Sequence, residues 1–287
     1  MKVAITGSSG LLGRHVAAAF VDAGHEVLGI DSAVPPAGAG ASHVTADVTD
    51  LGALIQLVRG TEVLVHVAAI PRPTGRDPAT VFRTNVAAIY NAVEAAALAG
   101  AARFIYASSF SVLGYPFFER PVTPPYLPVD GAHPIGAQDP YAVSKWLGEE
   151  IVEAAVRRGA LPAAVSLRMP WIQTPQTFFQ EVGRRRRTAE ASRDLWAYLD
   201  AEDAADAFLC AAGCPVEGHL RLFLSAADTY MDESTEPLAA RCFPGSRLAK
   251  PMPGCAAAID TAAARSALGW TPRRSWRAYP HPEASDT

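Results

Sequence analysis

Tyr141 and Lys145 stand four residues apart in Tyr141-Ala142-Val143-Ser144-Lys145, and two serines, Ser108 and Ser109, close an apolar run upstream of them. Side chains four apart on a helix are neighbours, so an ammonium at Lys145 can lie near the Tyr141 oxygen and favour its ionised form. A free tyrosine titrates near pH 10, and bringing it to about 7 corresponds to ~4 kcal/mol of preference for the phenolate. Such a tyrosine exchanges a proton with an alcohol or a carbonyl near neutral pH, which is the acid/base half of a hydride transfer. Spacing alone is weak support, because a Tyr and a Lys on a surface helix are commonly just solvated neighbours.

A hydride transfer needs a carrier, and the N-terminus provides a place for one. Lys2-Val3-Ala4-Ile5-Thr6 reads as a buried strand running into Gly7-Ser8-Ser9-Gly10-Leu11-Leu12-Gly13 and an apolar helix through Phe20. Gly7 allows the tight turn, Gly10 lets backbone approach a pyrophosphate, Gly13 lets helix and strand pack closely, and the helix N-terminus attracts the anion. The second strand, Glu26 to Ile30, ends at Asp31, where a carboxylate accepts hydrogen bonds from ribose hydroxyls and disfavours a 2′-phosphate. The expected cofactor is NAD rather than NADP.

The positioning elements are apolar strands alternating with Ala-rich helices. Strands around Val44, Val63 to Val67 and Arg103 to Ala107 are separated by helical patterns near Leu51 to Val58 and Val81 to Leu98. This alternation implies a doubly wound α/β fold with a parallel sheet covered on both faces and the ligand at the C-terminal strand ends. Four segments fall at those ends: Asp47-Val48, Val67-Ala68-Ala69, Ala107-Ser108-Ser109 and Leu167-Arg168-Met169-Pro170, with Ala68 and Ala69 small enough to let a dinucleotide approach. Asp47 is placed either to accept from the adenine amine or to cap a helix. Pro140 before Tyr141 suits a helix start, with Asp139 as its cap.

The chain's 287 residues suffice for a large core, and a net charge of -4 offers no footprint for nucleic acid. No apolar run has membrane-span length, and a cytoplasmic location is expected by default. Cys210, Cys214, Cys242 and Cys255 lack zinc-site spacing and read as reduced and structural, and no metal is expected.

These pieces, with Asn85-Val86, Gly114, Leu167-Arg168, Tyr198 to Ala204 and Asp260 to Trp270 following in order, make the chain resemble an extended short-chain dehydrogenase/reductase of the epimerase/dehydratase branch over nearly its whole length. The resemblance implies a Rossmann domain over 1–167 with 197–214 returning to it, and a small substrate-binding region from 168–196 and 215–287. It implies that Ser109 hydrogen-bonds the reacting oxygen, that Tyr141 is the acid/base, and that Lys145 binds the nicotinamide ribose and lowers the tyrosine's pKa. Asn85, Met169 and Pro170 join the expected cofactor contacts. A homodimer pairing the helices near Asn85 to Leu98 and Tyr141 to Val156 is also implied.

Departures from the family narrow the chemistry. Where sugar-nucleotide dehydratases carry Thr-Asp-Glu, this chain has Ser109-Phe110-Ser111, so dehydration lacks its proton carriers. Trp171 stands where sugar-nucleotide epimerases have an Asn that helps hold the diphosphate. The smaller sugar-acid dehydrogenases are nearer, yet their Asn-His pair is replaced here by Phe110-Ser111. The expected substrate-side residues are Ser109, Phe110, Ser111, Tyr141, Trp171 and Gln173, with Arg187 or Arg193 of the arginine-rich stretch as an anion clamp, although most such runs are solvated faces. Phe178 and Phe179 line that pocket or the core. The proline-rich stretch Tyr115 to Pro140 reads as a substrate rim or lid, or as a connector. Together these features point to an NAD-dependent oxidoreductase acting on a small sugar-like or natural-product substrate. Alternatives are an epimerase with tightly held cofactor and, further off, a non-catalytic NAD-sensing protein.

Overall fold

Along the first strand, Val3 and Ile5 enter one hydrophobic cluster while Ala4 enters another on the opposite side. Side chains alternate across a strand, so both faces of this one are covered and its apolar residues run without interruption. Ile105 against Phe104 and Tyr106 repeats the split. The computed structural model describes residues 1–34 and 40–280.

In chain order the first half contains β1 (Lys2–Thr6), α1 (Leu11–Asp22), β2 (Glu26–Asp31), β3 (Ser42–Thr45), α2 (Leu51–Leu57), β4 (Val63–His66), α3 (Pro78–Ala99) and β5 (Arg103–Ser109). The second half contains β6 (Tyr126–Leu127), α4 (Pro140–Arg157), β7 (Ala163–Met169), β8 (Trp171–Gln173), α5 (Pro175–Thr177), α6 (Gly183–Arg185), β9 (Tyr198–Asp200), α7 (Ala201–Gly213), β10 (Gly218–Phe223), α8 (Thr235–Cys242), β11 (Arg247–Leu248) and α9 (Ala262–Leu268). Seven strands form one parallel sheet in the order β10-β7-β5-β4-β1-β2-β3. The chain winds from β1 to the β3 edge, crosses back, and continues from β4 to the β10 edge. A crevice opens where the direction reverses, beyond the C-terminal ends of β1 and β4.

Helices α1, α7 and α9 cover one face through Val16, Phe20, Phe208 and Leu268, and α2, α3 and α4 cover the other through Leu54, Ile89, Val93 and Val152. A third cluster holds Phe110, Tyr115, Leu127, Phe178, Trp196, Tyr198, Tyr230 and Trp276, and is the core of a smaller part flanked by the pairs β6/β11 and β8/β9. Phe178 thus belongs to that core, stacked on Trp276 at 5.2 Å between ring centroids.

The sequence-based boundaries need two changes. Gly218–Phe223, expected in the smaller region, is an edge strand of the main sheet, in register with Ala163 to Arg168 of β7. Only its last two residues are buried, so it lacks the apolar run that marks the central strands. Conversely, Tyr115, Leu127 and Val129, expected within the large domain, pack in the smaller core. Residues 281–287 of the expected C-terminal region lie outside the described residues.

Three acids fix the helix starts around the crevice. Asp139 caps α4 by accepting from the backbone N–H of Tyr141 at 2.9 Å and Ala142 at 3.0 Å. Asp77 caps α3 and Asp50 caps α2, so Asp47 is not the helix cap that its position also allowed. The outer face of α3 and α4, which the expected two-fold contact would bury, exposes Tyr90, Leu98 and Trp146. No helix among the described residues is long and apolar enough to cross a membrane.

His66, at the end of β4, is buried beside the rings of Phe104 and Tyr106 and bonded through Nδ1 to the Thr6 hydroxyl at 2.8 Å. Burial first, then the nearby Lys145, pushes its pKa down to about 3. The unfolded chain takes up this proton near pH 6.5 and the folded chain refuses it until about 3, so acid favours unfolding across that window. By pH 5 the loss is on the order of 2 kcal/mol, or a Tm drop of about 5 °C for a chain of this size. Replacing His66 by Phe keeps an aromatic ring and removes the titration. Melting curves at pH 7 and pH 5 are expected to show the wild type losing more than the variant, and equal losses would reject the assignment.

Candidate active site

At the crevice a cavity of about 870 Å³ runs from the glycine turn, past Ser109 and Tyr141, to Trp171, Arg185 and Asp194. Gly7 adopts φ 75°, and a Cβ there would lie 2.5 Å from the Ala68 backbone nitrogen. A Cβ on Gly13 would lie 1.9 Å from the Gly7 carbonyl oxygen. Both positions are therefore closed to any side chain. At Gly10 the nearest protein atom would be 3.4 Å away, so what its missing side chain keeps free is cavity space. Gly10 begins α1 with no side-chain cap and no acid in the first turn, leaving N–H groups for an anion. An open, uncapped helix start walled by glycine fits a dinucleotide pyrophosphate.

Asp31 lines the cavity and also braces the turn, accepting from Ser9 N–H at 2.9 Å and Ala33 N–H at 3.0 Å. Each carboxylate oxygen keeps a further lone pair for a ribose hydroxyl. Asp47 lines the cavity while accepting from the Thr49 amide and hydroxyl, both at 2.8 Å. Ser9, Leu11, Leu12, Val48, Val67, Ala68, Ala69, Ala107, Ser108, Met169 and Pro170 also line it.

Asn85 does not. It is buried on α3, where its side chain exchanges hydrogen bonds with the Ile70 backbone at 2.8 and 3.1 Å and donates to the Ser144 hydroxyl at 3.1 Å. Ser144 in turn donates to the Tyr141 carbonyl at 2.7 Å. With its amide fully used, Asn85 holds the loop after β4 against the first turn of α4 and touches no ligand space.

Ser109, Tyr141 and Lys145 converge on the middle of the cavity. The Lys145 ammonium donates to the Ala107 carbonyl at 2.7 Å and lies 5.7 Å from the Tyr141 ring centroid. Behind it, Glu149 is fully buried, accepting two bonds from Arg168 at 2.9 and 2.7 Å and one from Ser108 at 2.5 Å. The electrostatics differ from what the spacing predicts. Burial pushes the Tyr141 phenol up to about 12, against a smaller opposing pull from the Ser109 hydroxyl. Burial also pulls Lys145 down to about 7, with Glu149 opposing. Burial is the largest influence on both groups, so spacing places the pair and burial sets its charge.

On the substrate side, Phe110 and Trp171 line the cavity, and so do Pro116 and Phe117 from the proline-rich stretch, Phe117 edge-on to Tyr141 at 6.4 Å. Ser111, Gln173, Arg187 and Arg193 lie outside it. Ser111 is buried in the turn Phe110–Leu113, and Gln173 is buried with its Oε1 accepting from the Thr177 hydroxyl at 2.8 Å. Arg187 is exposed, and Arg193 donates to the Phe118 carbonyl at 3.0 Å with its guanidinium over the Phe118 ring at 4.3 Å. Arg185 enters the cavity in their place, ion-paired to Asp194 at 2.8 Å. The arginine run announced a guanidinium without saying which one turns inward, and Asp194 carries no sequence signal.

Fold and site define an NAD(P)-dependent enzyme of the short-chain dehydrogenase/reductase type. A model of the NAD dependent epimerase/dehydratase family matches residues 3–221, and the chain belongs to that family. It is an NAD-dependent oxidoreductase or sugar epimerase, with NAD as its cofactor. L-arabinose 1-dehydrogenase (NAD(P)(+)) of Haloferax volcanii is 30% identical over 201 residues, covering 68% of this chain and 76% of that protein. dTDP-4-dehydrorhamnose reductase of Mycobacterium tuberculosis is 26% identical over 294 residues, covering 96% and 90%. Among solved structures, a short-chain dehydrogenase/reductase superfamily protein from Agrobacterium tumefaciens with bound NAD matches with a TM-score of 0.72 at 25% identity, covering 96% of this chain and 94% of that one.

Proposed function

We propose that this protein transfers a hydride between NAD and the carbinol carbon of a small sugar, with net oxidation or reduction of the sugar. The observation that carries the reading is the convergence of Ser109, Tyr141 and Lys145 midway along a cavity that starts at the uncapped α1 and ends at Trp171. The relationship to L-arabinose 1-dehydrogenase, the absence of an acid pair at Phe110-Ser111, and the Trp at 171 all favour simple redox on a small sugar over elimination or nucleotide-sugar chemistry.

NAD, when bound, supplies the hydride acceptor for oxidation and, reduced, the donor for the reverse. Ser109 holds the reacting oxygen by hydrogen bonding. Tyr141, as the phenolate, would take the carbinol's hydroxyl proton in the oxidation and, as the phenol, would give it back to the carbonyl oxygen in the reduction. Lys145, fixed by the Ala107 carbonyl, orients the cofactor ribose and holds a proton close to the phenol. The glycine turn and Asp31 hold the dinucleotide at the far end.

The test is a panel of aldoses, sugar acids and nucleotide sugars, followed by absorbance of NADH. Steady NADH formation with at least one small sugar is expected. Sugar interconversion with no change in bulk NADH would replace this reading with epimerisation.

A further inference from the structure

We infer that the substrate end of the cavity is built for an uncharged polyhydroxylated ring, and that Asp194 is the residue that turns anionic sugars away. The inference rests on the sugar-oxidoreductase reading of this site and adds the charge class of the substrate. An arginine facing a sugar pocket ordinarily marks a carboxylate or phosphate subsite, because the guanidinium fork matches planar anions. Here the guanidinium charge is already matched by a carboxylate on its Nε side, and its Nη2 donates to the Glu190 carbonyl at 3.4 Å. Arg185 Nε lies 2.8 Å from Asp194 Oδ2, with the Asp194 side chain 3% exposed.

Asp194 is locked in that position. Its Oδ1 accepts from the Tyr230 hydroxyl at 2.5 Å and from Trp196 N–H at 3.1 Å. The chain directly after it makes one tight turn through two left-handed residues, Leu195 and Trp196, φ 55° and 54°, closed by Ala197 N–H donating to the Asp194 carbonyl at 3.1 Å, with both side chains buried. Burial raises the Asp194 carboxyl to about 6, still below neutrality, so the pair is charged and matched at pH 7.

An incoming carboxylate or phosphate would meet a fixed carboxylate at the fork, in a site where desolvation strengthens like-charge repulsion. A neutral sugar meets different surroundings. The Arg185 guanidinium lies over the Trp171 ring at 5.7 Å from its centroid, so one wall combines an aromatic ring with the guanidinium N–H groups that Asp194 and Glu190 do not take up. A sugar ring has an apolar C–H face and a rim of hydroxyls that matches such a wall.

The experiment measures binding rather than turnover. NAD-loaded Tyr141→Phe protein is titrated calorimetrically with D-galactose and with D-galacturonate, the same ring bearing a carboxylate. D-galactose is expected to bind on the order of 100-fold more tightly. Asp194→Asn retains the shape and unmasks the Arg185 charge, and is expected to shrink that ratio at least about tenfold. The ratio in the protein with Asp194 intact needs no second variant, so a poorly folded Asp194→Asn does not rescue the inference. Equal or tighter galacturonate binding, an unchanged ratio in a folded Asp194→Asn, or no binding of D-galactose each overturns it. The selectivity without NADH formation from any sugar in the wild type would keep the inference and remove the oxidoreductase reading. NADH formation together with a preference for galacturonate would do the reverse.

Discussion

Replacing Tyr141 by Phe is expected to lower kcat by about 1,000-fold or more while NAD affinity stays within about twofold, as measured by turnover and by NAD titration. Phe retains the ring and its edge contact with Phe117 and removes only the hydroxyl that carries the proton. The pH dependence gives a second check on the same group. With its pKa pushed to about 12, Tyr141 is a neutral phenol at pH 7, ready to donate a proton when a carbonyl is reduced. Oxidation needs the phenolate, whose fraction rises with pH. Oxidation is therefore expected to climb about tenfold per pH unit between 7 and 9 at saturating NAD, with reduction nearly flat there. Residual Tyr141→Phe activity should lack the climb. Near-normal turnover in that variant would remove Tyr141 from the chemistry.

Legibility in the sequence followed the distance over which each feature is decided. The glycine turn, Asp31, and the Tyr141/Lys145 pair are local patterns, and each reports its backbone environment within a few residues. The alternation of buried strands and Ala-rich helices carried the sheet. What stayed hidden depends on packing between distant segments. Gly218–Phe223 joins the sheet although only Leu222 and Phe223 are buried, because an edge strand needs no continuous apolar run. Arg185 was indistinguishable from its neighbours in the run until α6 oriented it toward Asp194 across an intervening turn. Spacing shows that Lys145 stands beside the Tyr141 phenol but carries no measure of how deeply the fold buries the two, and desolvation is the largest effect on both.

The layer beneath the site produces the largest expected change in stability. Glu149 stands one helical turn beyond Lys145, fully buried, and satisfies both arms of Arg168 and the Ser108 hydroxyl. Removing the carboxylate by Glu149→Leu strands the Arg168 guanidinium in a desolvated site. Breaking a buried pair in this way costs about 3–5 kcal/mol, or a Tm drop on the order of 10 °C. The penalty belongs to the orphaned charge more than to the lost bond. Glu149→Leu combined with Arg168→Met is therefore expected to recover most of the stability in urea or thermal unfolding. Activity is expected to remain impaired in the double variant. Ser108 loses the acceptor that fixes the strand end next to Ser109, and Lys145 loses the charge that raises its pKa. Recovered stability with impaired turnover would separate the network's two tasks, whereas full recovery of both would confine Glu149 and Arg168 to packing.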